Sequence, residues 1–156
     1  MAIEIVRAFF YDQGIANRIL EFPVSSATVE LAAQALGCEA KRIAKTLSFL
    51  VDGSAVLVVA AGDARVDNAK FKTRFGAKPK MLDVEHVLAA TGHAVGGVCP
   101  FAIPDGVPVH LDVSLQRFTT VFPACGSSNS AIELTLVELE HYANAMGWVD
   151  VCKNWE

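Results

Sequence analysis

The second half of this sequence has little positive charge. Residues 81–156 carry two Lys/Arg against nine Asp/Glu, whereas residues 1–80 carry 11 against eight. The net charge of −4 argues against a nucleic-acid partner unless the basic half forms a local surface. Paired cysteines are also missing. Cys38, Cys99, Cys125 and Cys152 stand apart, with no CxxC pair, so zinc ribbons and thioredoxin-type motifs are excluded. The longest apolar run, Ala55–Ala61, falls far short of the ~20 residues of a membrane-spanning helix. No basic start followed by an apolar run opens the chain, so no signal peptide is expected. GxSxG, Walker and dinucleotide motifs are absent, as are repeats, low-complexity tracts and linkers. The expectation is a cytoplasmic protein with reduced thiols and no membrane partner.

What is present has the composition of a well-buried globular chain. Of 156 residues, 53% are apolar and 19% charged, which is enough for one core and a single domain over residues 1–156. Val6, Phe9 and Phe10 repeat at helical spacing, and Gly14 can stop that helix. Arg18–Phe22 reads as a short strand. Val29, Ala32, Ala33 and Leu36 form a second helical stripe, closed by Gly37. Ile43–Val51 and Ala55–Ala61 read as strands joined at Asp52-Gly53, a strong tight-hairpin signal. Asp67 can cap a helix ending at Gly76. Asp83 can cap another, with Val84, Val87 and Leu88 inward and Gly92 at its end. Val109–Val113, Phe118–Phe122 and Ile132–Leu134 read as strands. Thr135 with Glu138 makes a capping box for a last helix, closed by Gly147. The sum is an α/β fold: a mixed sheet with at least one antiparallel hairpin, surrounded by helices.

Three features could carry chemistry. Ile43, Lys45, Leu47, Phe49 and Val51 share one strand face, and a lysine there is out of pattern. The two-residue turn sets Lys45 opposite Ala60 and Leu47 opposite Val58. Because the partner strand is wholly apolar, the hairpin should be central. Lys45 then either snorkels to water at the sheet end or stands as a cation at a pocket floor, its pKa lowered by burial. Second, residues 92–108 hold Gly92, Gly96, Gly97, Pro100, Pro104, Gly106 and Pro108, a long stretch of loop composition. Gly96-Gly97-Val98-Cys99-Pro100 offers main-chain amides as donors, and Gly126-Ser127-Ser128-Asn129 is a second small-residue loop. Third, Lys70, Lys72, Arg74, Lys78 and Lys80 fall within eleven residues without an acid. Such a cluster is either a solvated face or a phosphate-binding patch.

Other readings are weaker. Cys99 with one of His86, His93, His110 or His141 could form a thiol nucleophile, but free cysteine more often behaves as a small hydrophobe. His110 and Asp112 share a strand face without a convincing third ligand, so no metal site is expected.

The blocks Ile43-Ala44-Lys45-Thr46-Leu47, Ala61-Gly62-Asp63, Gly96-Gly97-Val98-Cys99-Pro100-Phe101 and Gly126–Asn129 resemble the YbaK/EbsC family in order and spacing. That family is the trans-acting relative of the editing domain inserted in bacterial prolyl-tRNA synthetase. The resemblance runs from about Ser26 to Tyr142. It implies hydrolysis of the ester of mischarged tRNA, above all tRNA for proline carrying a small non-cognate amino acid. By the same resemblance, the catalytic roles fall on Lys45, Gly97 and Pro100, and no metal, cofactor or protein nucleophile is required. Thr46, Gly96, Val98, Cys99, Gly126, Ser127, Ser128 and Asn129 are the expected substrate contacts. Lys70, Lys72, Arg74, Lys78 and Lys80 are the expected tRNA contacts. The implied partners are the acceptor end of mischarged tRNA and prolyl-tRNA synthetase. Cys99 and Cys125 depart from the family pattern, where Ser and Gly are frequent. A non-catalytic tRNA- or synthetase-binding module of the same fold is the alternative.

Overall fold

The computed structural model describes residues 2–155. The chain runs α1 (Ala2–Asp12), β1 (Leu20–Glu21), α2 (Val29–Leu36), β2 (Ile43–Val51), β3 (Ser54–Ala61) and β4 (Arg65–Val66). There follow α3 (Asn68–Phe75), α4 (Val84–Thr91), β5 (Val109–Asp112), β6 (Thr120–Pro123) and β7 (Ser130–Ala131). The chain closes with β8 (Leu134–Thr135), α5 (Leu136–Tyr142), β9 (Trp148–Val149) and β10 (Cys152–Lys153).

The largest sheet has the order β8-β6-β2-β3-β5-β9. Asp52 and Gly53 both take positive φ, 51° and 78°, the backbone of a type I′ hairpin turn. That turn fixes the register, with Lys45 opposite Ala60 and Leu47 opposite Val58. β6 and β5 join the hairpin on either side in parallel, so β2 and β3 are the centre of a mixed sheet. From Leu57 to Ala61, β3 is fully buried, which its unbroken apolar run requires.

The helices follow their caps. Thr28, Asp67 and Asp83 each accept a backbone N–H in the first turn of α2, α3 and α4, and Gly37, Gly76 and Gly92 end them in the left-handed region. α1 buries Ile3, Val6 and Phe10. The Phe10 ring meets Phe101 at 4.8 Å and Tyr142 at 5.6 Å. On the Phe49 side of β2, α3 packs Phe71 at 4.7 Å.

Several expectations change at the edges. On α4, Val87 is buried, but Val84 and Leu88 are 67% and 52% exposed. This two-turn helix lies over a cavity mouth rather than against the core. The last helix ends at Tyr142 with Ala143 as its cap, before Gly147. β5 draws the following residues into the sheet, since Met146 N–H donates to the Val109 carbonyl and Leu111 N–H to that of Gly147. The strand expected at Arg18–Phe22 reduces to β1, because Arg18 turns away to pair with Glu138 at 2.7 Å. Of the expected strand at Ile132–Leu134 only Leu134 joins a ladder, in β8 beside β6, while Ile132 N–H turns to the Pro123 carbonyl at 3.0 Å.

Candidate active site

A cavity of about 480 Å³ opens between β2, α2, α4 and the loop at Val95–Val98. Its size suits a small organic ligand. Ala44, Thr46 and Ser48, alternate residues of β2, line one wall, as strand periodicity requires. Val29 and Ala32 of α2, Met81, Val84 and Val87 near α4, and Phe122 and Ala124 after β6 make the rest largely apolar. Two hydroxyls on this wall, Ser26 Oγ and Thr46 Oγ1, are buried without a hydrogen-bond partner. A buried unsatisfied hydroxyl costs about 1–3 kcal/mol, and both residues stand among those that line the cavity.

Lys45 is the one cation among the described residues that line the cavity. Its ammonium donates to the main-chain carbonyls of Ala64 and Gly62 in the turn after β3. Burial lowers its pKa below the ordinary lysine value. The turn itself is braced by Asp63, whose carboxylate accepts two bonds from Arg117, at 2.6 and 3.0 Å. That pairing holds the Asp63 carboxyl below its ordinary pKa. Gly62 is confined as well: a Cβ there would fall on the Ala40 carbonyl oxygen and close on Val29. The lysine therefore sits on rigid main chain rather than on a mobile surface.

The two small-residue loops meet beside this wall. A Cβ on Gly97 would lie 2.8 Å from the backbone of Ser127, a separation that no alanine could occupy without displacing main chain. The strap before α2 is tied to the same place. Ser26 N–H donates to the Ser128 carbonyl at 2.6 Å and Phe22 N–H to that of Asn129 at 2.8 Å. The Asn129 side chain returns a bond to the Phe22 carbonyl. Gly96 and Val98 line the cavity directly, with Ser130 and Ala131 in place of Gly126–Asn129. Pro100 lies on the wall of a second cavity, of about 440 Å³, bounded by residues 102–108 and Tyr142.

Cys99 is fully buried and absent from the cavity wall. Burial pushes its thiol up to about 12, so it is protonated at neutral pH. The imidazole nearest to it, His93, places Nε2 at 2.9 Å from the Phe101 carbonyl oxygen and 3.5 Å from Sγ. A carbonyl only accepts, so Nε2 carries the proton and has no lone pair to take one from the thiol. That arrangement does not suit a nucleophilic pair. His110 and Asp112 are also committed elsewhere. The Asp112 carboxylate accepts from Ser114 and Val151 N–H, both at 2.9 Å, and the His110 ring packs on Phe75 at 5.2 Å.

The basic cluster divides. Lys70 bonds Asp150 at 3.1 Å and the Cys152 carbonyl at 3.0 Å. Lys70, Lys72 and Arg74 ride on α3, on the sheet face that Phe49 presents, whereas Thr46 and Ser48 alternate toward the cavity. Lys78 and Lys80 lead into the cavity rim at Met81, and the Lys80 carbonyl accepts from Leu50 N–H at 2.8 Å. The patch is thus not one surface aimed at the cavity. Sequence reasoning passed over Ser26 and the rim residues Met81–Val84. Ser26 carried no signal beyond its place before a helix cap, and the rim forms only when residues 80–82 pair with β2.

Comparison with known proteins adds a family. The model of the aminoacyl-tRNA editing domain matches residues 24–142. YwhH, an uncharacterised protein of Bacillus subtilis, is 53% identical over 157 residues, covering 100% of each chain. A proline–tRNA ligase of Desulfovibrio desulfuricans is 34% identical over 80% of this chain, which spans only 21% of that enzyme. A crystal structure described as a candidate trans-editing enzyme for prolyl-tRNA synthetase superposes with TM-score 0.87. It is 29% identical and 97% of each chain is covered.

Proposed function

The chain belongs to the aminoacyl-tRNA editing domain family, and from that premise we propose that it is a free-standing aminoacyl-tRNA deacylase. Its substrate is mischarged tRNA, in the first instance tRNA for proline bearing a small non-cognate amino acid. The observation that carries this reading is Lys45, the one lysine or arginine among the described residues lining an otherwise apolar and hydroxyl-bearing cavity, its part-buried ammonium held on the Gly62 and Ala64 carbonyls.

In this reading the esterified end of the tRNA enters over Met81 and Val84. Lys45 holds the ester and terminal ribose, and its charge favours the oxyanion that forms when water adds to the ester carbonyl. Main-chain N–H groups of Gly96 and Val98, the loop residues on the cavity wall, orient the same carbonyl. Collapse of the tetrahedral intermediate breaks the acyl–oxygen bond, and the ribose oxygen leaves with a proton. Ser26 and Thr46 supply the polar contacts to the aminoacyl group. The rigid backing of Lys45 by the Gly62–Ala64 turn serves orientation, where small misplacements cost large factors in rate. The cytoplasm and a prolyl-tRNA synthetase partner follow from this substrate.

The test is a deacylation panel with tRNA for proline charged with Ala, Ser or Cys, alongside the cognate aminoacyl-tRNA. Hydrolysis of at least one mischarged substrate above the uncatalysed rate is expected. Lys45→Ala should lower that rate about 100-fold or more while the far-ultraviolet circular dichroism stays unchanged. A wild-type rate equal to the uncatalysed one across the panel, with salt-dependent tRNA binding retained, would replace the deacylase by a tRNA-binding module.

A further inference from the structure

The loop that carries Gly96–Pro100 is closed at its base by a buried polar network. His93 is 1% exposed, and Thr91, Cys99 and Phe101 are equally buried. The Thr91 hydroxyl donates to the Val87 carbonyl at 2.7 Å and accepts His93 N–H at 3.0 Å. It thereby fixes residue 93 to the end of α4. The His93 ring then crosses the loop, and Nε2–H donates to the Phe101 carbonyl at 2.9 Å. Phe101 is itself locked against Phe10 of α1. Inside this span, Gly97 N–H returns to the Ala94 carbonyl at 3.0 Å. One side chain thus ties the two ends of the loop together. The tie is costly to hold: His93 Nδ1 is buried with no partner, and burial keeps the ring below its ordinary pKa. An apolar residue of similar volume would remove the unsatisfied nitrogen but take the donor from the buried Phe101 carbonyl, so what the histidine supplies is the bond across the loop.

We infer that His93 is a positioning residue for the reaction proposed above, setting the distance across the Gly96–Pro100 loop so that Gly96 and Val98 hold their places on the cavity wall. The kinetic consequence rests on the deacylase reading; the geometry does not. His93 does not line the cavity, so it acts through the loop and not on the substrate.

Two amide variants separate reach from bulk. In His93→Gln the side-chain NH₂ extends to where Nε2–H stands; in His93→Asn it stops short of the Phe101 carbonyl. Full-length wild type and both variants are compared in single-turnover and steady-state deacylation of the mischarged tRNA found active in the panel. Amide hydrogen exchange and thermal melting are followed in parallel. His93→Asn should lower kcat tenfold or more with KM within about twofold, because a displaced loop misorients the reacting ester. His93→Gln should recover to within about threefold of wild type. Amides of residues 96–99 should exchange faster in His93→Asn only, while those of the β2–β3 hairpin keep wild-type protection. Equal activity and exchange in all three proteins would overturn the inference. So would a His93→Asn defect spread over the hairpin as well as the loop, or one that His93→Gln leaves unrepaired. If wild type proves inactive on every substrate, the deacylase reading fails and exchange decides the loop tie alone. Selective loosening in His93→Asn supports the tie, and unchanged protection overturns it.

Discussion

Lys45 shows how one residue can be out of pattern for a reason. Every other member of its strand face is apolar, and the register set by Asp52-Gly53 places it opposite Ala60, the small neighbour that leaves room for its stem. Its ammonium then finds carbonyls only because the Gly62–Ala64 turn is bent against Ala40 and braced by Arg117. Gly97 is a second such residue. Its Cβ position is taken by the Ser127 backbone, so Gly97→Ala should destabilise the fold by about 1–3 kcal/mol and reduce deacylation. The check is a denaturant titration beside the kinetic assay, and wild-type stability would mean that the two loops part without cost. Cys99 makes the opposite prediction. Its thiol is buried, protonated and outside the cavity, so Cys99→Ser should keep deacylation within about tenfold of wild type. Loss of nearly all turnover in that variant would restore a nucleophilic role.

Among the elements, α5 offers the clearest test of local chemistry. Thr135 accepts Glu138 N–H at 3.1 Å and Glu138 accepts Thr135 N–H at 2.9 Å, a closed capping box. The bond from Arg18 holds the Glu138 carboxyl down at about 2, well below its ordinary 4.5. A carboxyl depressed in the folded state stabilises above the unfolded pKa, and that contribution is lost as pH falls through the folded one. The melting temperature should therefore fall between about pH 4.5 and pH 2, and Glu138→Gln should flatten that part of the curve. Thr135→Ala should cost about 1 kcal/mol at neutral pH. A variant curve parallel to wild type across the acid range would remove Glu138 from the pH response. The capping box was legible in sequence because both partners lie three residues apart. The end of α5 was not, because the edge of β5 captures residues 146–148, and no local signal encodes that competition.

At the scale of the whole molecule, pairing across the fold offsets part of the charge difference between the two halves of the sequence. The acidic second half supplies Asp150, which pairs with Lys70, so part of the basic cluster is neutralised by residues far along the chain. Lys78 and Lys80 stand nearer the cavity rim than the α3 cations. Charge reversal at Lys78 and Lys80 should weaken tRNA binding more than reversal at Lys70. It should also reduce the salt dependence, by about 0.7–0.9 in log–log slope for each phosphate no longer neutralised. Binding measured between about 50 and 200 mM salt separates the cases. A larger effect from Lys70 would place the tRNA across α3 instead.

Sequence alone determined the central hairpin and its register, the glycine- and aspartate-bounded helices, and the blocks that mark the editing family. These depend on residues close in the chain: turn chemistry, side-chain period and capping geometry act within a few positions. Only the tertiary structure decided that Lys45 rests on the Gly62 and Ala64 carbonyls, that Ser26 and Thr46 lie unpartnered on one wall, and that Lys70 is drawn to Asp150. It also decided that His93 ties the Gly96–Pro100 loop. Each joins segments that approach only once the core has closed, and a buried polar group takes whichever partner packing brings within reach.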